Sequence, residues 1–413
     1  MTGPEPPARP ALRAPALSAL DIATGMPAGI DRRLAPIDVN PSTPRDPLAV
    51  MAQVLAEGLS RPPCVVTFSG GRDSSGVLAA ATQVSRDLGL PPPLPVTLVF
   101  PGDKDADEED WQRLVIDKLG LTEWERARVS EGDLDAVGPV ATAALRQHGV
   151  YWPFNAHFHI PIFQLATGGT VLTGFGGDEM GLACDTARRE RILCLQERVS
   201  ARAAIATLGL AAAPRPLRRA VHGHRYHNEA TWLTPAGEAL ARKARVADQA
   251  DVPFGYGRVL TRWVPRQRYF NVCKESFEAL ASPYHVRVLH PFIEPSVLAS
   301  LAARGGIPGF GSREELVRIL FGGLLPPEVI TRRSKGRFNN PLYSLATAEF
   351  VRNWDRSGVN HELVDAERVA DAWRAGRDVR AATLMQSAWW EAHIGSGTDS
   401  ATARSVAAPP HNA

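Results

Sequence analysis

Short apolar runs alternate with amphipathic stretches through the first part of the chain, and then the apolar runs stop. Cys64-Val65-Val66-Thr67-Phe68 is brief, apolar and rich in β-branched residues, the pattern of a buried strand. Val96-Thr97-Leu98-Val99-Phe100, residues 124–130 and Thr170-Val171-Leu172-Thr173 predict three more. Between them the spacing predicts a helix over 46–59, an alanine-rich helix beginning near Ser74, helices over 110–119 and 133–148, and one ending at 160–166, with Gly120 as a C-cap. Strands alternating with helices imply βαβ units and a parallel sheet. Right-handed crossovers then place ligands beyond the carboxyl ends of the strands.

From about position 184 onward the strand signal fades, and residues 185–250, 316–321 and 366–394 read as helices. The ends read differently again. Residues 1–45 are rich in Pro, Ala and Arg with little periodicity, which predicts an extended or partly disordered arm, and 396–413 predict a loose tail. The expected organisation is therefore an arm (1–45), an α/β parallel-sheet core (46–184), a helical region completing the same domain (185–345), C-terminal helices (346–395) and the tail (396–413).

Composition narrows the partners. Net charge is +2 from 46 basic and 44 acidic residues among 413, so no strong field favours nucleic acid or an anionic membrane. No apolar run approaches the ~20 residues a spanning helix needs, and no basic cluster followed by an apolar stretch marks a secretion signal. The 4 cysteines, with no Cys-x-x-Cys pair, read as reduced thiols of a cytoplasmic protein.

Chemistry enters at the turns. The first strand runs into Ser69-Gly70-Gly71-Arg72-Asp73-Ser74-Ser75, where two glycines allow close backbone approach and the following helix presents unpaired N–H groups. Such a turn cradles phosphate. An aspartate inside it makes sense when Mg²⁺ lies between carboxylate and phosphates. The fourth strand ends likewise in Thr173-Gly174-Phe175-Gly176-Gly177-Asp178-Glu179, and Asp178 is the matching second carboxylate. A basic stretch, Arg332-Arg333-Ser334-Lys335-Gly336-Arg337-Phe338, follows Leu325-Pro326.

The first turn resembles the pyrophosphate loop of the ATP pyrophosphatase superfamily, whose members split ATP into AMP and pyrophosphate. Taken in order with Pro291-Phe292-Ile293-Glu294 and with Arg333, Lys335 and Phe338, the motifs resemble the synthetase domain of the asparagine synthetase B family over residues 46–345. The resemblance implies an adenine nucleotide α-hydrolase-like core that binds ATP and Mg²⁺. It implies that Ser69, Gly70, Gly71, Asp73, Ser74 and Ser75 hold pyrophosphate, and that Phe68, Val99, Thr173 and Gly174 line the adenosine. It further implies that Asp73 and Asp178 bind the metal and that Lys335 holds the α-phosphate and the leaving pyrophosphate.

Two departures shape the expected activity. Glutamine-using relatives carry cysteine directly after the initiator methionine, within a hydrolase domain; Thr2 stands there, so ammonia or an amine substrate is the expected donor. Phe175 occupies a place that holds glutamate in asparagine synthetases and tyrosine in β-lactam-forming relatives, and phenylalanine cannot ionise. Glu294 and Glu179 are the candidate bases. The expectation is an ATP-dependent ligase that adenylates a small-molecule or peptide carboxylate and passes the acyl group to an amine. Its place would be natural-product or macrolactam biosynthesis, with other proteins of one biosynthetic cluster as possible partners. A non-catalytic nucleotide- or peptide-binding scaffold and an ammonia-dependent asparagine synthetase are the alternatives. His157 and His159 read as structural or exposed, His222, His224 and His227 as a solvated loop, and Trp389-Trp390 as packing.

Overall fold

The computed structural model describes residues 12–100, 107–130, 132–180, 185–332, 343–376 and 378–395. Five parallel strands, β1 (Cys64–Thr67), β2 (Leu94–Val99), β3 (Glu125–Arg128), β4 (Thr170–Leu172) and β5 (Arg287–Leu289), stand in the order β3-β2-β1-β4-β5. The chain leaves β1 towards one edge and returns through β4 on the other side. The gap between the carboxyl ends of β1 and β4 is thus the switch point where open α/β sheets bind ligands.

Strand alternation assigns each face its core. Val65 pairs with Val171, and Val171 with Val288; Val66 pairs with Leu172, and Leu172 with Leu289. The first row packs with the helices Pro139–His148, Arg268–Ala281 and Ala381–Trp390. The second packs with Pro47–Leu59, Arg72–Leu88, Pro295–Gly305 and Arg313–Phe321. Both faces are covered at the middle of the sheet, which is why β1 and β4 lack polar alternation, whereas the edge strand β3 is polar and has no buried residue. Residues on both sides of positions 184 and 345 share these cores. No described helix is long and apolar enough to cross a membrane.

Five expectations change. The fifth strand was not expected: it is three residues long, and its first, Arg287, is exposed and paired with Glu57 at 2.7 Å, which interrupts the apolar signal. The helix expected over 133–148 begins only at Pro139. Asp135 is fully buried and spends its carboxylate on Val137 N–H, Ser344 and Thr347, so it anchors the helix Leu345–Asn353 instead. The helix expected over 366–394 breaks at Gly376, whose φ of 60° closes Ala366–Ala375 before Ala381–Trp390 begins. His222 and His224 lie on an exposed helix, Arg215–Arg225, and not on a loop.

The largest difference is the N-terminal segment, which from residue 12 is folded onto the body and not an extended arm. Its carbonyls at Ala23 and Gly25 accept the indole N–H of Trp232 (2.8 Å) and Trp152 (2.9 Å). Asp21 caps its own helix, Ala19–Thr24, with Ser18 and forms a forked pair with Arg268, 2.7 Å at the nearer contact. Composition cannot reveal such a segment, because its role is to satisfy buried donors elsewhere. Arg268→Ala leaves the Asp21 carboxylate buried without its cation. It should cost about 2 kcal/mol, the lower side for such a pair because Arg268 is partly solvated; urea denaturation measures this. The tail at 396–413 lies outside the described residues.

Candidate active site

The turn after β1 folds back on its own serine side chains. Gly70 has φ 80°, and Gly71 serves as N-cap of Arg72–Leu88 with no side-chain cap of its own. Ser74 Oγ accepts from Ser69 N–H (3.2 Å) and lies 3.1 Å from Ser69 Oγ, closing the turn on itself. Two outside contacts lock it. Gln112 Nε2 donates to Ser69 O at 3.2 Å, and Arg332 Nη1 donates to Gly70 O at 3.0 Å. Arg332 is buried, paired with buried Glu108, and its guanidinium lies 4.7 Å over the Trp111 ring.

The turn after β4 presses against the first. A Cβ on Gly174 would lie 2.8 Å from Ser74 N, and one on Gly177 would lie 2.3 Å from Asp73 Cγ. Only glycine permits this approach. Asp73 and Asp178, far apart in sequence, consequently face one cavity of about 580 Å³ and share one partner, Arg313, whose two Nη atoms take one carboxylate each. The cavity runs from this charged end, where Arg72 and Arg332 also stand, to an apolar end made by Phe68, Leu98, Phe100, Phe158 and Ile162. Burial and the nearby Arg313 charge lower the Arg72 pKa; a polyanion would relieve both.

The donor set suits magnesium. Asp73 and Asp178 offer hard carboxylate oxygens, and Mg²⁺ is ordinarily held by one or two carboxylates together with substrate phosphates. Among the described residues no group of three or more His, Cys, Asp or Glu forms an all-protein metal site. This covers the His222–His227 cluster, which instead lines a separate cavity of about 360 Å³ beside Arg225 and Arg245.

The expected site residues divide as follows. Phe68, Ser69, Gly71, Asp73, Ser74, Gly174 and Asp178 line the larger cavity. Gly70, Ser75 and Thr173 lie behind it; Ser75 is fully buried in the helix, and Thr173 Oγ1 meets His290 Nδ1 at 2.7 Å. Val99 is not in the wall, and the β2 residues that do line it are Val96, Thr97 and Leu98, followed by Phe100. Glu294 is not in the wall either; it is the N-cap of Pro295–Gly305, next to Ile293, which packs on Gly176. Glu179 lies behind the turn, accepting from Tyr269 Oη at 3.1 Å; burial raises its pKa, and Asp178 and Asp73 add to the rise. Phe175 is half-buried, edge-on to Phe270 (5.6 Å) and His290 (5.3 Å). Lys335, Arg333 and Phe338 lie outside the described residues. Arg313, Gln112, Asn155 and Ile162 were not singled out, because none lies in the motifs that carry the family resemblance.

Three histidines, His157, His159 and His290, lie around the site. His157 is fully buried, 3.0 Å from Tyr151 Oη and 3.1 Å from Leu134 O. His159 lies in the cavity wall, edge-on to Phe277 at 4.6 Å. Burial depresses His157 and His159 to about 4 and His290 to about 3, from an ordinary 6.5. The fold therefore keeps them neutral while the unfolded chain takes up protons, so their contribution is full above pH 6.5 and is lost as pH falls from there towards 4. A calorimetric Tm that drops as pH falls below 6.5 is the expected result.

The model of one protein family, asparagine synthase, matches residues 50–284. Comparison with curated proteins returns no match. The matched segment takes in both glycine-rich turns and β1 to β4, and it covers more than half of the chain. With the switch-point cavity and its paired aspartates, it establishes that the chain belongs to the asparagine synthase family, with the ATP-dependent amide-forming synthetase architecture of that family.

Proposed function

We propose that this protein is an AMP-forming amide ligase. It would adenylate a carboxylate, release pyrophosphate, and let an amine attack the acyl adenylate. The observation that carries the reading is the convergence of Asp73 and Asp178 on one cavity through turns that only glycine can bring together. In this reading Ser69, Gly71 and Ser74 hold the phosphates by N–H and hydroxyl donors, and Arg72 adds charge. Phe68, Leu98 and Phe100 offer an apolar seat for the base. Magnesium, held by Asp73 and Asp178, would neutralise the charge that develops on the leaving pyrophosphate. Lys335 would act on the same charge. Little else is needed, since adenylyl transfer depends on positioning and neutralisation more than on a protein nucleophile.

The acceptor side favours a specialised substrate over aspartate and ammonia. Phe175 brings no ionisable group, and it belongs to an aromatic cluster with Phe270 and Tyr269, the latter two stacked at 4.2 Å. An acceptor side without that ionisable group suits an apolar or peptide-borne amine, in natural-product or macrolactam formation. Neither Glu179 nor Glu294 lines the cavity; Glu179 is the better base candidate of the two, since it follows Asp178, which does line it, and burial raises its pKa. Free Cys64, Cys194 and Cys273 fit a reducing cytoplasm. The test is product analysis with pooled ¹⁸O-labelled carboxylic acids and amines. AMP carrying one ¹⁸O, with pyrophosphate, supports the proposal; ADP and phosphate contradict it.

A further inference from the structure

Arg313 sits where helix electrostatics do not want a cation. It is the first residue of Arg313–Phe321, after the Ser312 N-cap, at the end where the helix dipole favours anions; Glu314 and Glu315 obey that rule and Arg313 does not. Its two Nη atoms go to carboxylates on two different turns, Asp73 and Asp178, while its Nε is buried with no hydrogen-bond partner. A fork engaged by one carboxylate would be bidentate. This one is split across the pair that the family reading gives to magnesium.

We infer that Arg313 is a positioning residue that gates metal entry to this pair and then serves the polyphosphate. The inference rests on the proposed nucleotide site. A cation drawing on Asp73 and Asp178 competes with the guanidinium for carboxylate charge and repels it, so the two exclude one another. The backbone of Arg313 does not follow the side chain, because Phe321 on the same helix is packed into Gly76 of Arg72–Leu88, where a Cβ would lie 2.5 Å from the ring. Only the side chain swings. It lines the same cavity as Ser69, Arg72 and Ser74, so phosphate oxygens are the acceptors it meets when released. Arg313 thereby holds the two turns together in place of a cation, opposes binding of the bare metal, and favours the metal–nucleotide pair. This makes cation binding depend on nucleotide binding.

The test uses Mn²⁺ as probe, followed by electron paramagnetic resonance without nucleotide and by calorimetry as the α,β-methylene-ATP complex. Wild type, Arg313→Ala, Arg313→Lys and Asp178→Asn are compared, with circular dichroism confirming the fold. Arg313→Ala should bind Mn²⁺ alone about tenfold more tightly and the metal–nucleotide complex about tenfold more weakly, a loss of coupling. Arg313→Lys, which keeps charge but not the fork, should fall between. If Arg313→Ala shifts neither affinity while Asp178→Asn loses the complex, the inference about Arg313 is overturned and the nucleotide site stands. If wild type binds no metal–nucleotide complex, the site reading fails and the inference with it.

Discussion

Gly177→Ala should reduce ATP-dependent pyrophosphate release by about 100-fold or more while the sheet stays folded, since a displacement near 1 Å at a reacting centre has an effect of that order. The added methyl would sit 2.3 Å from Asp73 Cγ, well inside van der Waals contact, so carboxylate and turn must separate. Gly177 is buried and lies in a short helical turn with negative φ, so the substitution leaves its local backbone comfortable. The damage falls on the distance between the two turns and hence on the Asp73–Asp178 pair. Gly209→Ala is the control. Gly209 is on the exposed helix Ala201–Ala212, with open space where the Cβ would go, and should be silent in activity and slightly stabilising. Pyrophosphate release and Tm, measured together on both variants, separate loss of geometry from loss of fold.

The largest stability effect is expected from Arg332→Ala, about 3–5 kcal/mol. Arg332 and Glu108 are both almost fully buried, and their mutual attraction offsets two desolvated charges. Removing one strands the other. The same truncation frees Gly70 O and uncovers the Trp111 face, so the turn after β1 loses a clamp as well. Replacing both partners, Arg332→Met with Glu108→Leu, should recover much of the stability without restoring the clamp, because no charge remains buried. Chemical denaturation of the single and double variants checks the sign of this difference. A single variant as stable as the double would remove the electrostatic explanation.

The two turns were legible because close approach of two turns at strand ends requires glycine, and Gly174 and Gly177 show that approach at 2.8 and 2.3 Å. The sheet was legible where strands are apolar on both faces, as Val65-Val66 and Val171-Leu172 are. It was not legible at β5, where Arg287 answers to Glu57 across the edge. Arg313 and Arg332 left no trace of their roles. Each is one arginine among many, and what distinguishes them is a carboxylate brought near from more than 200 positions away, 240 for Asp73 and 224 for Glu108. The N-terminal segment was misread for a related reason. Its usefulness lies in carbonyls offered to Trp152 and Trp232, and a backbone carbonyl has no letter in the sequence.

A crystal structure with Mg²⁺ and α,β-methylene-ATP tests the account at its centre. The account predicts a triphosphate along Ser69–Ser74, a cation drawing on both Asp73 and Asp178, and an α-phosphorus open to the rest of the cavity. A nucleotide bound elsewhere, or a cation that touches neither aspartate, would contradict it.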